Sequence, residues 1–138
     1  MKIPYKRLKR EEEKFPVFIF QYLNQDSKQH SFTFFNKGKT RDVIPVYESL
    51  LSKLKHLSSI PILELAEVGK TAAFETLPYS NFNEHLQHLF HASGIPRDAK
   101  LTVFRFHNQQ FRMICSSNDN VFYIIAFDFN FSAYDHGC

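Results

Sequence analysis

Arg105 and Arg112 flank the polar pair Asn108–Gln109 in a stretch where aromatic and polar residues otherwise alternate. A two-residue turn at that pair sets Arg105 opposite Arg112, His107 opposite Gln110 and Val103 opposite Ile114. Phe104 then faces Met113 and Phe106 faces Phe111 on the other side, because strand side chains alternate between faces. Like charges directly opposite each other are unfavourable unless an anion neutralises them. An acidic side chain of the chain itself, for instance one from a helix, would serve. So would a phosphate, whose oxygens suit the planar guanidinium fork. A three-residue turn would set Arg112 against Phe106 and part the two arginines. For the following hairpin, a loop at 118–119 or 117–120 pairs Arg112 with Ile125 and Ile114 with Tyr123. The expected basic face is therefore Arg105, His107, Arg112 and Tyr123.

Further candidates cluster near the C-terminus, where Asp128, Tyr134, Asp135 and His136 follow within a few residues of one another. A Tyr and a His beside basic groups suit acid–base work on a 2′-hydroxyl or a phosphate. The candidate catalytic set is thus Arg105 and Arg112 to hold phosphate and stabilise developing charge, with His107, Tyr134 or His136 as general acid or base. The structural alternative has Asp128 ending a strand and Tyr134 packing its ring.

Other motifs carry less. His85, His88 and His91 recur at intervals of three in one predicted helix. At about 100° per residue the three drift around the helix and do not converge, so they read as polar surface histidines and no metal site or cofactor is expected. Gly69-Lys70-Thr71 resembles the end of a phosphate-binding loop, but Glu64 stands where that motif needs glycine and no strand precedes it. Cys115 falls at a core-facing strand position and reads as a packing residue. With Cys138 it makes only two cysteines, which points to reduced thiols and a cytoplasmic location.

The 138 residues fit one domain, with 43% hydrophobic residues and an aromatic content dominated by 16 Phe. Such a chain leans toward sheet. The formal charge of +3 sits wholly in the N-terminal tail, residues 1–14, which precedes a single folded unit, 15–138. Within the tail, Lys6, Arg7, Lys9 and Arg10 are the candidate nucleic-acid contacts; the alternative is a solvated, frayed terminus. No apolar run reaches the length of a membrane span.

Strands are expected at 15–23 and 30–36, forming an N-terminal hairpin. Val43, Tyr47, Leu50, Leu51, Leu54 and Leu57 fall on one helical face. A short helix follows at 61–67 behind Pro61, then an irregular stretch at 70–79. A third helix covers about 81–92 with Ser80 as its candidate cap. Strands at 101–107, 110–116 and 121–128 make a three-stranded meander. The fold class is α+β: an antiparallel sheet, built of the N-terminal hairpin and the meander, packed by about three helices on one face.

The C-terminal run of Phe122-Tyr123, Asp128, Asn130, Tyr134, His136 and Gly137, together with Phe104-Arg105-Phe106 and Arg112, resembles an uncharacterised family of small bacterial, phage and mobile-element proteins. Members end in Phe-Tyr, four residues, Asp, a further acidic or amide residue, then Tyr-x-His-Gly. More distantly, helices followed by a meander with arginines on one face are similar to RelE/HigB-type ribonuclease toxins. That resemblance implies an RNA-directed nuclease of a toxin–antitoxin or mobile-element system, with RNA or the ribosome as target and a cognate antitoxin as protein partner. The other reading is a non-catalytic interaction module, an inhibitor or accessory factor in phage–host conflict, that binds a partner protein through surface Phe and Tyr residues.

Overall fold

The computed structural model describes residues 14–35, 40–68 and 74–134. In chain order the elements are β1 (Val17–Ile19), α1 (Thr40–Ser58), α2 (Ile62–Val68), β2 (Phe74–Pro78), α3 (Glu84–Ala92), β3 (Lys100–Phe106), β4 (Phe111–Asn118) and β5 (Val121–Asp128), with short 3₁₀ turns at Phe32–Phe35 and Tyr79–Asn81. The strands form one mixed sheet in the order β1-β5-β4-β3-β2. The molecule is α+β, and the C-terminal meander stands where the alternation of residues puts it.

The N-terminal hairpin does not form. β1 instead runs parallel to β5, pairing Val17 with Val121 and Ile19 with Tyr123. The side chain of Asn120 donates to Phe15 O at 2.8 Å, and Val17 N donates to Asn120 O at 2.9 Å. The expected partner strand at 30–36 is absorbed by local polar chemistry. Ser31 Oγ and Thr33 Oγ1 both donate to Ser27 O, which offers the backbone an alternative to a ladder. The vacant edge beyond β3 goes to β2, which spans part of the stretch expected to be irregular and pairs Glu75 with Val103 and Phe74 with Phe104.

The helices divide between the two faces of the sheet rather than sharing one. Leu86, Leu89 and Phe90 of α3 pack on Leu101, Val103, Ile114 and Ala126. Val46, Leu50 and Leu57 of α1, with Leu65 of α2, pack on Phe104, Phe106, Met113, Ile124 and Phe127. The reason is legible in the central strands: residues 101–104 and 112–115 are buried without a break, and a strand buried on both sides needs cover on both sides. The aromatic turn 32–35 completes the second layer, with Phe32 stacked on Tyr47 at 4.6 Å and edge-on to Phe127 at 4.9 Å.

α3 starts three residues later than its pattern suggests. Its N-cap is Asn83, whose Oδ1 accepts from Leu86 N at 2.8 Å; Ser80 lies in the preceding 3₁₀ turn instead. The helix ends at Ala92 with Ser93 as its C-cap, and the chain turns away at Gly94, whose positive φ of 79° is open to glycine at little steric cost.

Candidate functional site

The β3–β4 connection is four residues, 107–110, and not the expected two: the ladder closes at Phe106–Phe111, and His107, Asn108 and Gln109 all have positive φ, 53°, 57° and 63°. A four-residue loop centred on the same pair keeps the register of the two-residue one. Arg105 accordingly lies opposite Arg112, and Val103 opposite Ile114. The next hairpin differs from expectation. Its turn is Asp119–Asn120, Asn118 pairs with Val121, and a register shift between Ile114 and Cys115 sets Arg112 opposite Asp128 and Ile114 opposite Ala126. Tyr123 pairs with Ser116, away from the arginines. A bulge inserts one residue and resets every pair beyond it, and nothing in the spacing of Ile124-Ile125-Ala126 marks it.

Arg112 is buried, and its charge is dispersed among groups of this chain. One terminal nitrogen donates to the carbonyls of Gln109 and Gln110 at 2.9 and 2.8 Å. Its Nε donates to the Tyr134 hydroxyl at 3.2 Å. Its guanidinium carbon lies 4.9 Å from the centre of the Phe131 ring, a cation–π distance. The Tyr134 hydroxyl in turn donates to Glu75 Oε1 at 2.7 Å. The acid that serves this cluster thus comes from β2, through a phenol, and not from a helix. No sequence signal marked Glu75, because the strand holding it was not expected.

Tyr134 reaches this position on a C-terminal strap, residues 128–134. Asp128 organises it: one carboxylate oxygen accepts from Asn130 N and Ser132 N, the other from Ala133 N. Burial, followed by the Glu75 hydrogen bond, pushes the Tyr134 phenol up to about 12. At neutral pH it is a committed donor and is poorly suited to act as a general base.

Arg105 is treated differently. Its Nε is buried with no hydrogen-bond partner among the described residues. Lys53 of α1 feels it: burial, and then the Arg105 charge, push the lysine below its ordinary value. His107 stands in the turn and not in β3 opposite Gln110, and its ring stacks on Phe111 at 5.1 Å, nearly parallel. His136, Lys6, Arg7, Lys9, Arg10 and the Gly69-Lys70-Thr71 string lie outside the described residues.

The three helical histidines diverge. His88 and His91 join Glu84, Arg97 and Tyr79 around a polar cleft of about 460 Å³. His85 points the other way, with Nε2 2.9 Å from Ser27 Oγ and its ring stacked on His30 at 5.7 Å. Among the described residues no group of three His, Cys, Asp or Glu side chains is arranged to hold a metal ion. Cys115 is fully buried, which pushes its thiol far up. Among the described residues no helix is long and apolar enough to cross a membrane.

No protein-family model, curated protein or solved structure matches this chain.

Proposed function

We propose that this chain is a non-catalytic interaction module that lays the outer face of α1 into an apolar groove of a partner protein. The observation that carries this reading is a stripe of exposed apolar side chains. Ile44, Tyr47 and Leu51 are 51%, 43% and 66% exposed and follow one another at i, i+3 and i+7 along α1. Those offsets share one helical face and match the anchors of helix-in-groove recognition. Phe34 is also exposed, and Tyr47 stacks on its neighbour Phe32, so the stripe borders a further apolar group. Scattered single apolar residues would need no explanation; an aligned set marks a contact surface. The internal commitment of Arg112 and Tyr134 supports the same reading, because it leaves neither side chain free for chemistry. The test is site-specific photo-crosslinking in cells from Leu51, with Arg97 as control position. A defined protein adduct from Leu51 alone, lost on Ile44→Asp, is the expected result. Equal labelling from both positions ends this reading.

One observation favours the second reading, an RNA-directed nuclease of the RelE/HigB type. Arg105 sits opposite another arginine with a buried, unpartnered nitrogen, and a phosphate would relieve that opposition. On this reading Arg105, not Arg112, is the phosphate contact, and the acid–base group is a residue other than Tyr134. Expression should then arrest growth and cleave ribosome-associated RNA, both lost on Arg105→Ala. Undisturbed growth on wild-type expression rejects it.

A further inference from the structure

We infer that His30 is an acid-sensitive latch for the C-terminal strap: a proton on its Nε2 breaks the grip of Asn83 on residues 128–134 and uncovers Arg112.

The geometry fixes which nitrogen of His30 holds the proton. The side chain is fully buried. Nδ1 lies 3.0 Å from the carbonyl oxygen of Phe127, an acceptor only, so Nδ1 is the donor. Nε2 lies 3.1 Å from Asn83 Nδ2. The orientation of that amide is set by two other bonds: Oδ1 accepts from Leu86 N, and Nδ2 donates to Ser132 O at 2.8 Å. Nε2 must therefore accept, and His30 is neutral.

Protonating Nε2 turns the contact into donor against donor. Turning the Asn83 amide over does not rescue it. The oxygen would then meet His30 but also the carbonyl of Ser132, and the NH₂ would meet Leu86 N–H. Every orientation loses at least one partner. The residue so disturbed caps α3 and holds the strap twice, through its side chain to Ser132 O and its backbone N–H to Ala133 O at 2.8 Å. The strap in turn carries Phe131 and Tyr134, the two rings against Arg112.

Among the described residues two titratable groups act on His30 across this contact. His85 of α3 stacks on its ring and opposes a positive charge there; Asp128 at the end of β5 favours one. Burial outweighs both and holds His30 below its ordinary value, so the latch stays shut near neutrality and opens on acidification.

The experiment uses the full ¹⁵N-labelled chain. Long-range ¹H–¹⁵N spectra of the histidine rings give the tautomer and titration of His30, resolved from His85, while amide exchange reports the protection of Ser132 and Ala133. The expected result is an Nδ1–H tautomer at neutral pH. As His30 titrates, protection of the strap should fall about tenfold, the size expected for one or two lost hydrogen bonds. Asn83→Asp keeps a capping oxygen for Leu86 N and offers a carboxylate to a charged imidazole, so it should raise the midpoint of His30. An Nε2–H tautomer in the wild-type protein, or strap protection unchanged through the titration, overturns the latch.

Discussion

Arg105 lies directly opposite Arg112 across the β3–β4 ladder, yet the Arg112 guanidinium is bonded to two carbonyls and a phenol while Arg105 keeps a buried nitrogen without a partner among the described residues. Two chemically identical side chains in one cross-strand pair therefore have opposite energetic roles. Truncating them separates the roles. Arg112→Met should destabilise by about 2–3 kcal/mol, since it removes three charged hydrogen bonds, one of them buried and two part-buried. Arg105→Met should be neutral or stabilise by up to about 1 kcal/mol, since it removes a like charge and an unsatisfied donor. Chemical denaturation of both variants checks this, and equal losses would contradict it.

Tyr134 links Arg112 to Glu75, so its hydroxyl should matter more than its ring contact with Phe82. Tyr134→Phe should cost about 1–2 kcal/mol, and a double-mutant cycle with Glu75→Gln should be non-additive. The phenol also sets a basic limit. Its folded value is raised from 10 to about 12, so above pH 10 the unfolded chain loses its proton first. The stability it contributes is complete below pH 10 and is lost as pH rises through about 12. Denaturation at alkaline pH should show that decline, reduced in Tyr134→Phe.

Leu50 and Leu51 are neighbours on α1 but meet different surroundings: Leu50 is buried in the second core, and Leu51 is exposed. Leu51→Glu should leave the unfolding free energy within about 0.5 kcal/mol of wild type, whereas Leu50→Glu should leave the chain largely unfolded. Thermal melts followed by circular dichroism distinguish them. A large loss at Leu51 would mean that the stripe serves this chain's own packing and not a partner.

The thiol of Cys115 is enclosed between the sheet and the second helical layer, and burial disfavours its thiolate. The thiolate is the reactive form. Alkylation at this residue, followed by peptide mass spectrometry, should therefore be negligible under native conditions and rapid in denaturant.

His30 limits stability from the acid side. Its folded value lies below 6.5, so as pH falls below 6.5 the unfolded chain takes up a proton that the folded chain refuses. Stability is full above 6.5 and declines as pH falls toward the folded value. Replacing the ring by His30→Gln should remove that portion of the acid slope in urea titrations.

Much of the site's framework was legible in the order of the residues. The alternation of Val103-Phe104-Arg105-Phe106 with Phe111-Arg112-Met113-Ile114, and a polar pair able to take positive φ between them, is local information. It specifies the two strands and favours the register with Arg105 opposite Arg112, while leaving the length of the turn open. The helical spacing of Leu50, Leu54 and Leu57 signals α1 in the same way, because period 3.6 and period 2 are properties of the chain and not of its surroundings; which flank of that face is covered is not local, for Val46 is buried while Tyr47 and Leu51, expected beside Leu50, are exposed. Cys115 in the core follows from its place in the same alternation.

What the order of residues left open are decisions made between distant segments. Whether Val17-Phe18-Ile19 pairs with a nearby segment or with β5, a hundred residues away, depends on which edge is vacant once the meander exists. Whether Glu75 belongs to a strand depends on the free edge of β3. The register shift at Ile114/Cys115 appears only where β4 and β5 pair, and it places Asp128 opposite Arg112. The surroundings of Arg112 are the clearest case. A charged side chain in a strand reads equally well as a phosphate contact or a structural brace, and only the strap that returns with Phe131 and Tyr134, meeting Glu75 from the far strand, gives it internal partners. Local periodicity placed the arginines on two adjoining strands; the turn that sets them opposite each other, and the desolvation and hydrogen bonding around them, come from interactions that only the tertiary fold brings together.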